Sequence, residues 1–549
     1  MTKSTTDNSL DAVLAQVGDF GKYQIYIFVL VWIPTIMHSA VHVAYVFTAM
    51  DLTYRCEIPE CDSNKPQYET SWLVNAVPYT DGIPEKCEMY TYNSTEINTG
   101  NCSSSNFANQ ETVRCSSFVY KTHEQSILQE YNLQCSDNLW KLTLVGTINS
   151  FGQFSGLFIA GSLADIYGRR VVMVWGMVLC AVCGLIRTLM PTYEWFMVLE
   201  YLDAFFSSCT YISGFVLAVE LVGPKKRALT GTVACSANAL GSIITATAAW
   251  NLKSWKSLIY VLYTPAFLLV SYFWIVPESI RWNIKKGRLD EAKATLRKLA
   301  RVNGKEIEEK TLDQLNVTEN EPAGGKGQFI QAMKSVTLFM RFITCCFCWV
   351  TCSFLFYGLS LNSVTLASGN RYLNFLLTAT VEIPALFFCN FCLSYFGRRR
   401  SMCIFFFITG ASCTAFIFIP SGISGNGGWR HRHILLLPDE TVVSLSAYLI
   451  GKFGATAAFT GIYVYTSEMF PTATRQSFMG ACSTFSRLGI MVAPQMPLLA
   501  NIWNPLPIVC FSVMALIACG LTLFLPETLN VKLPDTIAEA ESMSKLLKK

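Results

Sequence analysis

GSLADIYGRR, residues Gly161 to Arg170, contains a Gly-Arg-Arg core that returns in SYFGRRR, residues Ser394 to Arg400. Two more turns repeat in the same order along the chain. ELVGPKKR and EMFPTATR each place a glutamate seven residues before an arginine, and PES at 277–279 returns as PET at 526–528. Three matched turns in register indicate that the chain contains two copies of one unit in parallel orientation.

The composition points to a lipid environment. Of 549 residues, 52% are hydrophobic and only 15% are charged, which lies outside the norm for soluble proteins. The net charge of +4 is small, and the basic residues lie between apolar runs, which excludes a nucleic-acid-binding face. Polar residues precede the first apolar run, Tyr23 to Met50, so we expect no cleaved signal peptide and an internal insertion signal.

Apolar stretches of a length that can cross a bilayer recur along the whole chain. They predict twelve spans, six in each half, at residues 23–50, 140–164, 171–190, 194–219, 228–250, 257–276, 337–361, 372–396, 401–420, 442–466, 477–497 and 505–525.

Lysine and arginine crowd alternate connections between these spans: 169–170, 225–227, 281–334 and 398–400. The positive-inside rule places those connections, and with them both termini, in the cytoplasm. The 51–139 segment must then be extracellular, which predicts a multi-pass protein of the plasma membrane.

The extracellular segment supports this orientation. It holds an even set of cysteines, suited to an oxidising compartment: Cys56, Cys61, Cys87, Cys102, Cys115 and Cys135. Three disulfides are expected, and six cysteines leave about fifteen pairings open. The segment also carries glycosylation sequons at Asn93 and Asn101, whereas a further sequon at Asn316 falls on the cytoplasmic side, where we expect it bare.

These patterns divide the chain into five parts. We predict a cytoplasmic N-terminus (1–22), an N-terminal six-helix bundle with its extracellular loop (23–276), a cytoplasmic helical linker (277–336), a C-terminal six-helix bundle (337–526) and a cytoplasmic tail (527–549). In the linker, Leu289, Ala292, Leu296 and Leu299 stand at helical spacing and predict an amphipathic helix beneath the bundle.

Several motifs, in order and spacing, resemble the organic cation, anion and zwitterion transporters of the major facilitator superfamily over nearly the whole chain. They are VGDFGKYQ at 17–24, GSLADIYGRR, ELVGPKKR, PESIRW with GRLDEA at 277–292, VEIPA at 381–385 and YTSEMFPTATR at 465–475. The resemblance implies an all-α membrane protein with the major facilitator fold. It also implies transport of small organic ions by alternating access, and neither an enzyme nor a bound cofactor.

Charged residues at the cytoplasmic turns predict a gate that bridges helix ends when the cytoplasmic side is closed. The candidates are Asp165, Arg169, Glu220, Arg227, Glu278, Glu468 and Arg475. The alternative is an ordinary solvated turn, which explains the arginines but not the acidic residues at matched points of both halves.

Two ionisable residues stand near the middle of spans, where charge is costly and marks candidate sites. They are Glu382 in the eighth span and Arg487 in the eleventh. A substrate site between the halves is the functional interpretation. The alternative is that each merely pairs with the other or with a neighbour.

By resemblance, the residue at the Arg487 position is acidic in classical cation carriers and basic in anion and carnitine-type carriers. Arg487 therefore argues against simple cations. The anion carriers usually have a second basic residue after the Pro-Ala of VEIPA, and this chain has Leu386 there. One acid and one base suit a zwitterion or an amine, with an organic anion as the alternative.

Further candidates would line the same site. Aromatic faces can hold a cationic head group by cation–π attraction, and neutral polar groups can add hydrogen bonds. By position these candidates are Tyr211, Phe215, Trp349, Phe356, Tyr357, Asn149, Gln153 and Lys452. Packing within or between helices is the alternative for each of them.

Glu200 and Asp203 stand where the family often has an arginine, and they share one helix face. An ion pair with Arg187, at the same depth, is the favoured interpretation. The alternative is an acidic vestibule that concentrates cations.

Other classes of function find less support. His38 and His42 have a spacing that metals use, but no third ligand is obvious, so packing or substrate contact is favoured over a metal site. No nucleotide-binding Gly-x-x-x-x-Gly-Lys-Ser/Thr run exists. A receptor on the same fold is the serious rival. The expected partners are the bilayer and a small organic cation or zwitterion, and the sequence leaves uniport, exchange and sodium coupling open.

Overall fold

The computed structural model is mainly α-helical. It describes residues 13, 16, 21–62, 66–80, 83–92, 102, 104–220, 227–305, 307, 312, 325–366, 370–419, 440–472, 474–531, 533–534 and 536–546. Asn93, Asn101 and Asn316 lie outside these residues, as does the side chain of Arg227.

Helices of the first half and the linker follow the predicted spans closely. In chain order they are α1 (Lys22–His42), α2 (Tyr45–Thr48), α3 (Leu73–Ala76), α4 (Ile127–Glu130), α5 (Leu139–Tyr167), α6 (Arg169–Arg187), α7 (Tyr193–Glu220), α8 (Arg227–Leu252), α9 (Trp255–Tyr263), α10 (Tyr272–Ile275), α11 (Ile280–Lys285) and α12 (Leu289–Asn303). A 3₁₀ segment, Thr264–Ser271, joins α9 to α10.

Helices of the second half continue the same order. They are α13 (Gly325–Met333), α14 (Val336–Asn362), α15 (Arg371–Thr380), α16 (Glu382–Tyr395), α17 (Arg398–Phe418), α18 (Glu440–Met469), α19 (Arg475–Val492), α20 (Met496–Ala500), α21 (Leu506–Thr522) and α22 (Ile537–Leu546).

Within the described residues, nine helical stretches are long and apolar enough to cross a membrane. They lie at predicted spans one to four and six to ten. The helix at the twelfth span, Leu506–Thr522, is apolar but shorter. The fifth and eleventh spans contain α8 and α19, which are helical but outside that set. The count of twelve spans therefore stays a prediction.

Local chemistry explains where several helices begin and end. Side chains of Ser279, Ser335 and Asn370 accept hydrogen bonds from backbone N–H groups in the first turns of α11, α14 and α15. Gly304 ends α12 in the left-handed conformation, with φ at 66°. Ala292, Leu296 and Leu299 of α12 are fully buried, which confirms the amphipathic linker helix.

The described part of the 51–139 segment forms three small two-stranded antiparallel sheets. The strands are β1 (Tyr54–Cys56), β2 (Tyr79–Thr80), β3 (Ile83–Pro84), β4 (Glu88–Tyr92), β5 (Phe107–Arg114) and β6 (Phe118–Tyr120), paired β1 with β6, β2 with β3 and β4 with β5. We call the described residues between 51 and 138 the outer domain, after the extracellular location that the sequence predicts for them.

Three disulfides hold the outer domain together. Cys56 pairs with Cys115, Cys61 with Cys102 and Cys87 with Cys135. This selects one arrangement among those that the sequence left open. Arg55, fully buried, adds an ion pair to Asp62 at 2.6 Å. Because so small a domain buries little apolar surface, cross-links supply much of its stability.

Each half has its own apolar core. The larger cores are separate clusters of buried side chains, one mainly from helices before residue 313 and one from helices after residue 328. Tyr372 and Phe375 of α15 are exceptions, because they pack into the first cluster. The halves therefore meet along a seam rather than through one continuous core, as the internal repeat predicts.

Candidate functional site

A central cavity lies on the seam between the halves. Its wall combines side chains of helices from the first half, α1, α5, α7 and α8, with side chains from the second half, α14, α15, α16, α18 and α19. Of the residues predicted from sequence, Glu382, Arg487, Tyr211, Phe356, Tyr357 and Gln153 line this cavity. The duplicated fold thus gathers residues that are up to several hundred positions apart.

Glu382 is paired with a neighbour. The Nζ atom of Lys452 lies 2.8 Å from Glu382 Oε1, and Lys452 is fully buried. Lys452 also donates to the carbonyl oxygen of Phe356 at 2.8 Å and to Ser360 Oγ at 2.7 Å, and it lies 3.6 Å from the centre of the Phe356 ring. A buried lysine needs such a saturated environment, because an unpaired charge there is costly.

Arg487 occupies a different electrostatic position. It lines the cavity and is half-buried, and no ion-pair partner of it occurs among the described side chains. Glu382 and Lys452 neutralise each other, so the cavity keeps one positive charge, at Arg487. A guanidinium left open in this way can accept a carboxylate or another planar acceptor.

Aromatic rings form much of the remaining wall. Phe356 stacks on Phe459 with centroids 4.9 Å apart, and Tyr357 meets Phe459 edge-on at 6.3 Å. Tyr463 also lines the cavity. Sequence reasoning missed Phe459 and Tyr463, although both lie seven and eleven residues after Lys452, on the same face of α18.

Four predicted residues lie behind the wall rather than in it. Trp349 is buried and donates from Nε1 to Thr466 Oγ1 at 2.9 Å. Phe215 stacks on Tyr211 with centroids 6.5 Å apart. Lys452 and Asn149 are not in the wall themselves but contact residues that are, among them Glu382 and His42. The packing alternative therefore describes Trp349 best.

His38 and His42 enter the cavity wall from α1. His38 Nδ1 lies 2.7 Å from Ser207 Oγ, and its ring stacks on Tyr211 at 5.2 Å. His42 Nδ1 lies 3.1 Å from Asn149 Oδ1. The four-residue spacing was visible in the sequence as a possible substrate contact.

A buried polar network continues from His42 into the first half. Asn149 Nδ2 donates to Glu200 Oε1 at 2.8 Å, and Glu200 is paired with Arg187. Arg187 also lies 3.1 Å from Asp203, which accepts from the Tyr263 hydroxyl at 2.6 Å. Glu200 and Asp203 are 1% and 2% exposed, so the predicted ion pair is confirmed and an acidic vestibule is excluded.

In the first half, the turn between α5 and α6 is organised around the carboxylate of Glu278, which lies at the N-terminus of α6. Glu278 accepts hydrogen bonds from the backbone N–H groups of Arg169 and Arg170, at 2.9 and 3.1 Å. These N–H groups begin α6 and have no partner within the helix, so an anion there is favourable. Gly168, with φ at 104°, leaves room for this carboxylate, because an added Cβ would clash with it. Arg169 lies 2.8 Å from Asp165 and 3.6 Å from Glu220.

The turn between α16 and α17, in the second half, repeats this geometry. Glu527 accepts from the N–H groups of Arg398 and Arg399 at 2.7 and 3.1 Å, beside Gly397 with φ at 92°. Arg398 forms two hydrogen bonds of 2.9 Å to Glu468. Sequence reasoning missed Glu527 and Arg398, although the matched PES and PET turns were the signal.

Arg475 lies apart from the second-half ion pair. Its guanidinium is 3.3 Å from Thr472 Oγ1, while Glu468 pairs with Arg398. The contacts described at these turns join helix ends of the same half.

The halves touch on the side of the outer domain. Tyr372 of α15 stacks on Phe47 at 5.5 Å and on Trp250 at 6.4 Å, and its hydroxyl donates to Glu124 at 2.9 Å. Arg371 donates to the carbonyl oxygen of Asp51 at 3.1 Å. We call these contacts the outer clamp.

A second cavity lies beside the outer domain. Lys86 and Asp51, 3.2 Å apart, are in its wall. Tyr45 and Leu361 line both this outer cavity and the central one, so the two cavities are neighbours.

Comparisons with known proteins agree with this architecture. The family model described as "Sugar (and other) transporter" matches residues 89–538. The Drosophila melanogaster "Organic cation transporter protein" is 31% identical, with 97% of this chain and 95% of the relative covered. Human "Solute carrier family 22 member 2" is 28% identical over 98% of this chain and 96% of the relative. Human "Organic cation/carnitine transporter 2" is 29% identical over 96% of this chain and 93% of the relative.

Solved structures of the proton:xylose symporter XylE, of the major facilitator superfamily, share the fold. The form bound to 6-bromo-6-deoxy-D-glucose has a TM-score of 0.53 at 16% identity, covering 76% of this chain and 92% of that one. The inward open E. coli form has a TM-score of 0.52 at 14% identity, covering 73% and 89%.

Proposed function

Because the chain belongs to the organic cation transporter family, within the sugar (and other) transporters of the major facilitator superfamily, we propose that it transports small organic cations or zwitterions by alternating access. The two halves rock about the central cavity, which then faces each side of the membrane in turn. The relatives named for organic cations and for carnitine support this substrate class.

The composition of the cavity wall carries this proposal. Aromatic faces of Tyr211, Phe356 and Tyr357 surround a space with Glu382 in its wall and Arg487 without an ion-pair partner. Rings of this kind stabilise a bound ammonium by about 0.5–2 kcal/mol each, more where water is excluded. Arg487 would bind the carboxylate of a zwitterion, which favours an amine-bearing zwitterion over a simple cation.

The charged turns give each half a rigid cytoplasmic end. In the first half, three helix ends are held together by the contacts of Glu278, Arg169 and Glu220. In the second half, the contacts of Glu527, Arg398 and Glu468 do the same. We assign to these residues and to Asp165 the predicted cytoplasmic gate. Arg475, whose guanidinium contacts Thr472, stays a predicted member of it. Rigid ends let a whole half move as one body, as rocking requires.

The plasma membrane is the proposed location, with both termini in the cytoplasm. Disulfides in the outer domain fit an oxidising extracellular space, and the basic turns fit the cytoplasmic side. Attachment of glycans at Asn93 and Asn101 follows from the same orientation.

Uptake of radiolabelled substrates into expressing cells tests the proposal. A panel of amines, zwitterions and carboxylates is measured with and without sodium, at two membrane potentials, for the parent, Glu382→Gln and Arg487→Ala. We expect amine or zwitterion uptake that both substitutions reduce at equal surface abundance. Absence of uptake of every compound would favour a receptor.

An organic anion is the second candidate, and one observation favours it. Lys452 and Arg487 outnumber Glu382, so the region of the cavity has one excess positive charge. Uptake of the carboxylates alone in the same panel would establish this alternative.

A further inference from the structure

His42 lines the central cavity and has one ring nitrogen that no described residue engages. Its side chain lines the cavity and is 8% exposed. Nδ1 is engaged, at 3.1 Å from Asn149 Oδ1. Among the described residues, none forms a hydrogen bond with Nε2. The chemistry that Nε2 offers to a bound molecule therefore depends on which ring nitrogen has the proton.

Asn149 decides the position of this proton. Its Nδ2 donates to Glu200 Oε1 at 2.8 Å, and a carboxylate can only accept. Glu200 is in turn held by Arg187, deep in the first half. The amide of Asn149 therefore cannot turn, and its oxygen faces His42. An oxygen at this position requires a donor, so the proton of neutral His42 is on Nδ1 and a lone pair is on Nε2.

Gln153 is compatible with this tautomer. Its Nε2 lies against His42 Nδ1 and 3.3 Å from Asn149 Oδ1. Gln153 must turn its amide to offer Oε1 to the ring, which gives up its hydrogen bond to Asn149 Oδ1 but no charged partner, whereas Asn149 would lose Glu200. The charge-assisted hydrogen bond is the stronger constraint, so the assignment follows Asn149.

We propose that His42 Nε2 accepts a hydrogen bond from the N–H group of a protonated amine, so that the cavity selects primary, secondary and tertiary ammonium substrates over quaternary ones. This rests on the proposed transport of organic cations or zwitterions. Aromatic rings lie beside His42, and the centre of the Tyr357 ring is 5.8 Å from that of His42. Such rings hold a protonated amine and a quaternary ammonium alike. Only a head group with an N–H can also satisfy Nε2, and a quaternary ammonium leaves this acceptor without a partner.

Two compounds that differ by one methyl group test the selectivity of the parent protein. Benzyldimethylamine is protonated at neutral pH and has one N–H, whereas benzyltrimethylammonium has none. Initial uptake rates of both radiolabelled compounds are measured in expressing cells, and uptake by cells without the protein is subtracted. We expect Vmax/KM to favour the amine by about tenfold, the effect of one hydrogen bond to a charged group.

Variants of His42 connect the selectivity to the ring nitrogen. His42→Phe keeps a flat ring and removes the acceptor, so the ratio should fall to about one while the quaternary compound is still taken up. His42→Gln can present an amide oxygen and should restore part of the preference. His123→Phe makes the same exchange at an exposed position of the outer domain and should leave the ratio unchanged.

The outcomes separate this inference from the proposed function. A parent that takes up both compounds at equal Vmax/KM overturns the role of His42, whether or not the variants fold. An amine preference that persists in His42→Phe also overturns it. A parent that takes up neither compound, and no other amine or zwitterion, overturns the proposed function and this inference with it.

Discussion

Lys452 Nζ and Glu382 Oε1 are 2.8 Å apart, on two helices of the second half, and both side chains are buried beside the central cavity. The pair explains how a lysine can be fully buried at the level of the bilayer. It also means that Glu382 presents a neutralised carboxylate, so the positive charge of the cavity is that of Arg487.

Removing one charge of this pair should lower the stability of the protein more than removing both charges. Lys452→Met or Glu382→Gln alone leaves one buried charge without its partner, at a cost of about 3–5 kcal/mol. The double variant leaves none. Thermal unfolding of the detergent-purified proteins should show a higher midpoint for the double variant than for either single one. Additive losses would show that the two side chains act independently.

Reversal of charge at position 487 should change the class of substrate. Arg487→Asp places a carboxylate where a zwitterion would offer its own, so uptake of simple cations should rise relative to zwitterions. The change should be about tenfold or more in the ratio of Vmax/KM values. Arg114→Asp, exposed in the outer domain, is the control. Unchanged selectivity in Arg487→Asp would remove Arg487 from the binding site.

The two matched turns at Glu278 and Glu527 should respond alike to loss of their carboxylates. Glu278→Gln and Glu527→Gln each remove a negative charge from a helix N-terminus and from a neighbouring arginine cluster. Both should lower the midpoint of thermal unfolding by similar amounts. Glu111→Gln, exposed on β5 and away from any helix end, should leave it unchanged. A large effect at only one of the two turns would contradict their equivalence.

The outer clamp should hold the central cavity closed toward the outer domain. Tyr372→Ala removes two ring contacts and a hydrogen bond, whereas Tyr372→Phe removes only the hydrogen bond to Glu124. A cysteine introduced at Ala379, in the central cavity, reports opening through its reaction with an impermeant thiol reagent added outside the cell.

Labelling of Ala379→Cys should accelerate strongly with Tyr372→Ala and weakly with Tyr372→Phe. The parent with Ala379 intact measures the background of native cysteines. Equal labelling rates with and without Tyr372→Ala would show that the clamp does not limit access.

The sequence predicted those features that depend on local pattern. Span positions follow from apolar runs, and the duplication follows from three matched turns, so the helices begin and end within a few residues of the prediction. Glu382 and Arg487 were found because charge within a span is rare and costly. The buried pair of Arg187 with Glu200 and Asp203 followed from matching depth along two neighbouring helices.

Features that depend on packing between distant segments were not predictable in the same way. The pairing of six cysteines depends on how three small sheets fold, which no spacing determines. The partner of Glu382 depends on which face of α18 meets α16, and an apolar helix with many aromatic residues does not reveal this face. Phe459 and Tyr463 were missed because the position of Lys452, on the same face, was not used to identify that face.

The outer clamp joins two parts of the chain that alternating access must separate. The outer domain grows from the first half, yet it holds α15 of the second half through Glu124 and through the backbone of Asp51. In the proposed transport cycle these contacts break and re-form, on the side of the membrane that we propose to be extracellular. An antibody fragment that binds the outer domain and α15 together would therefore stop transport from outside the cell, without entering the substrate pathway.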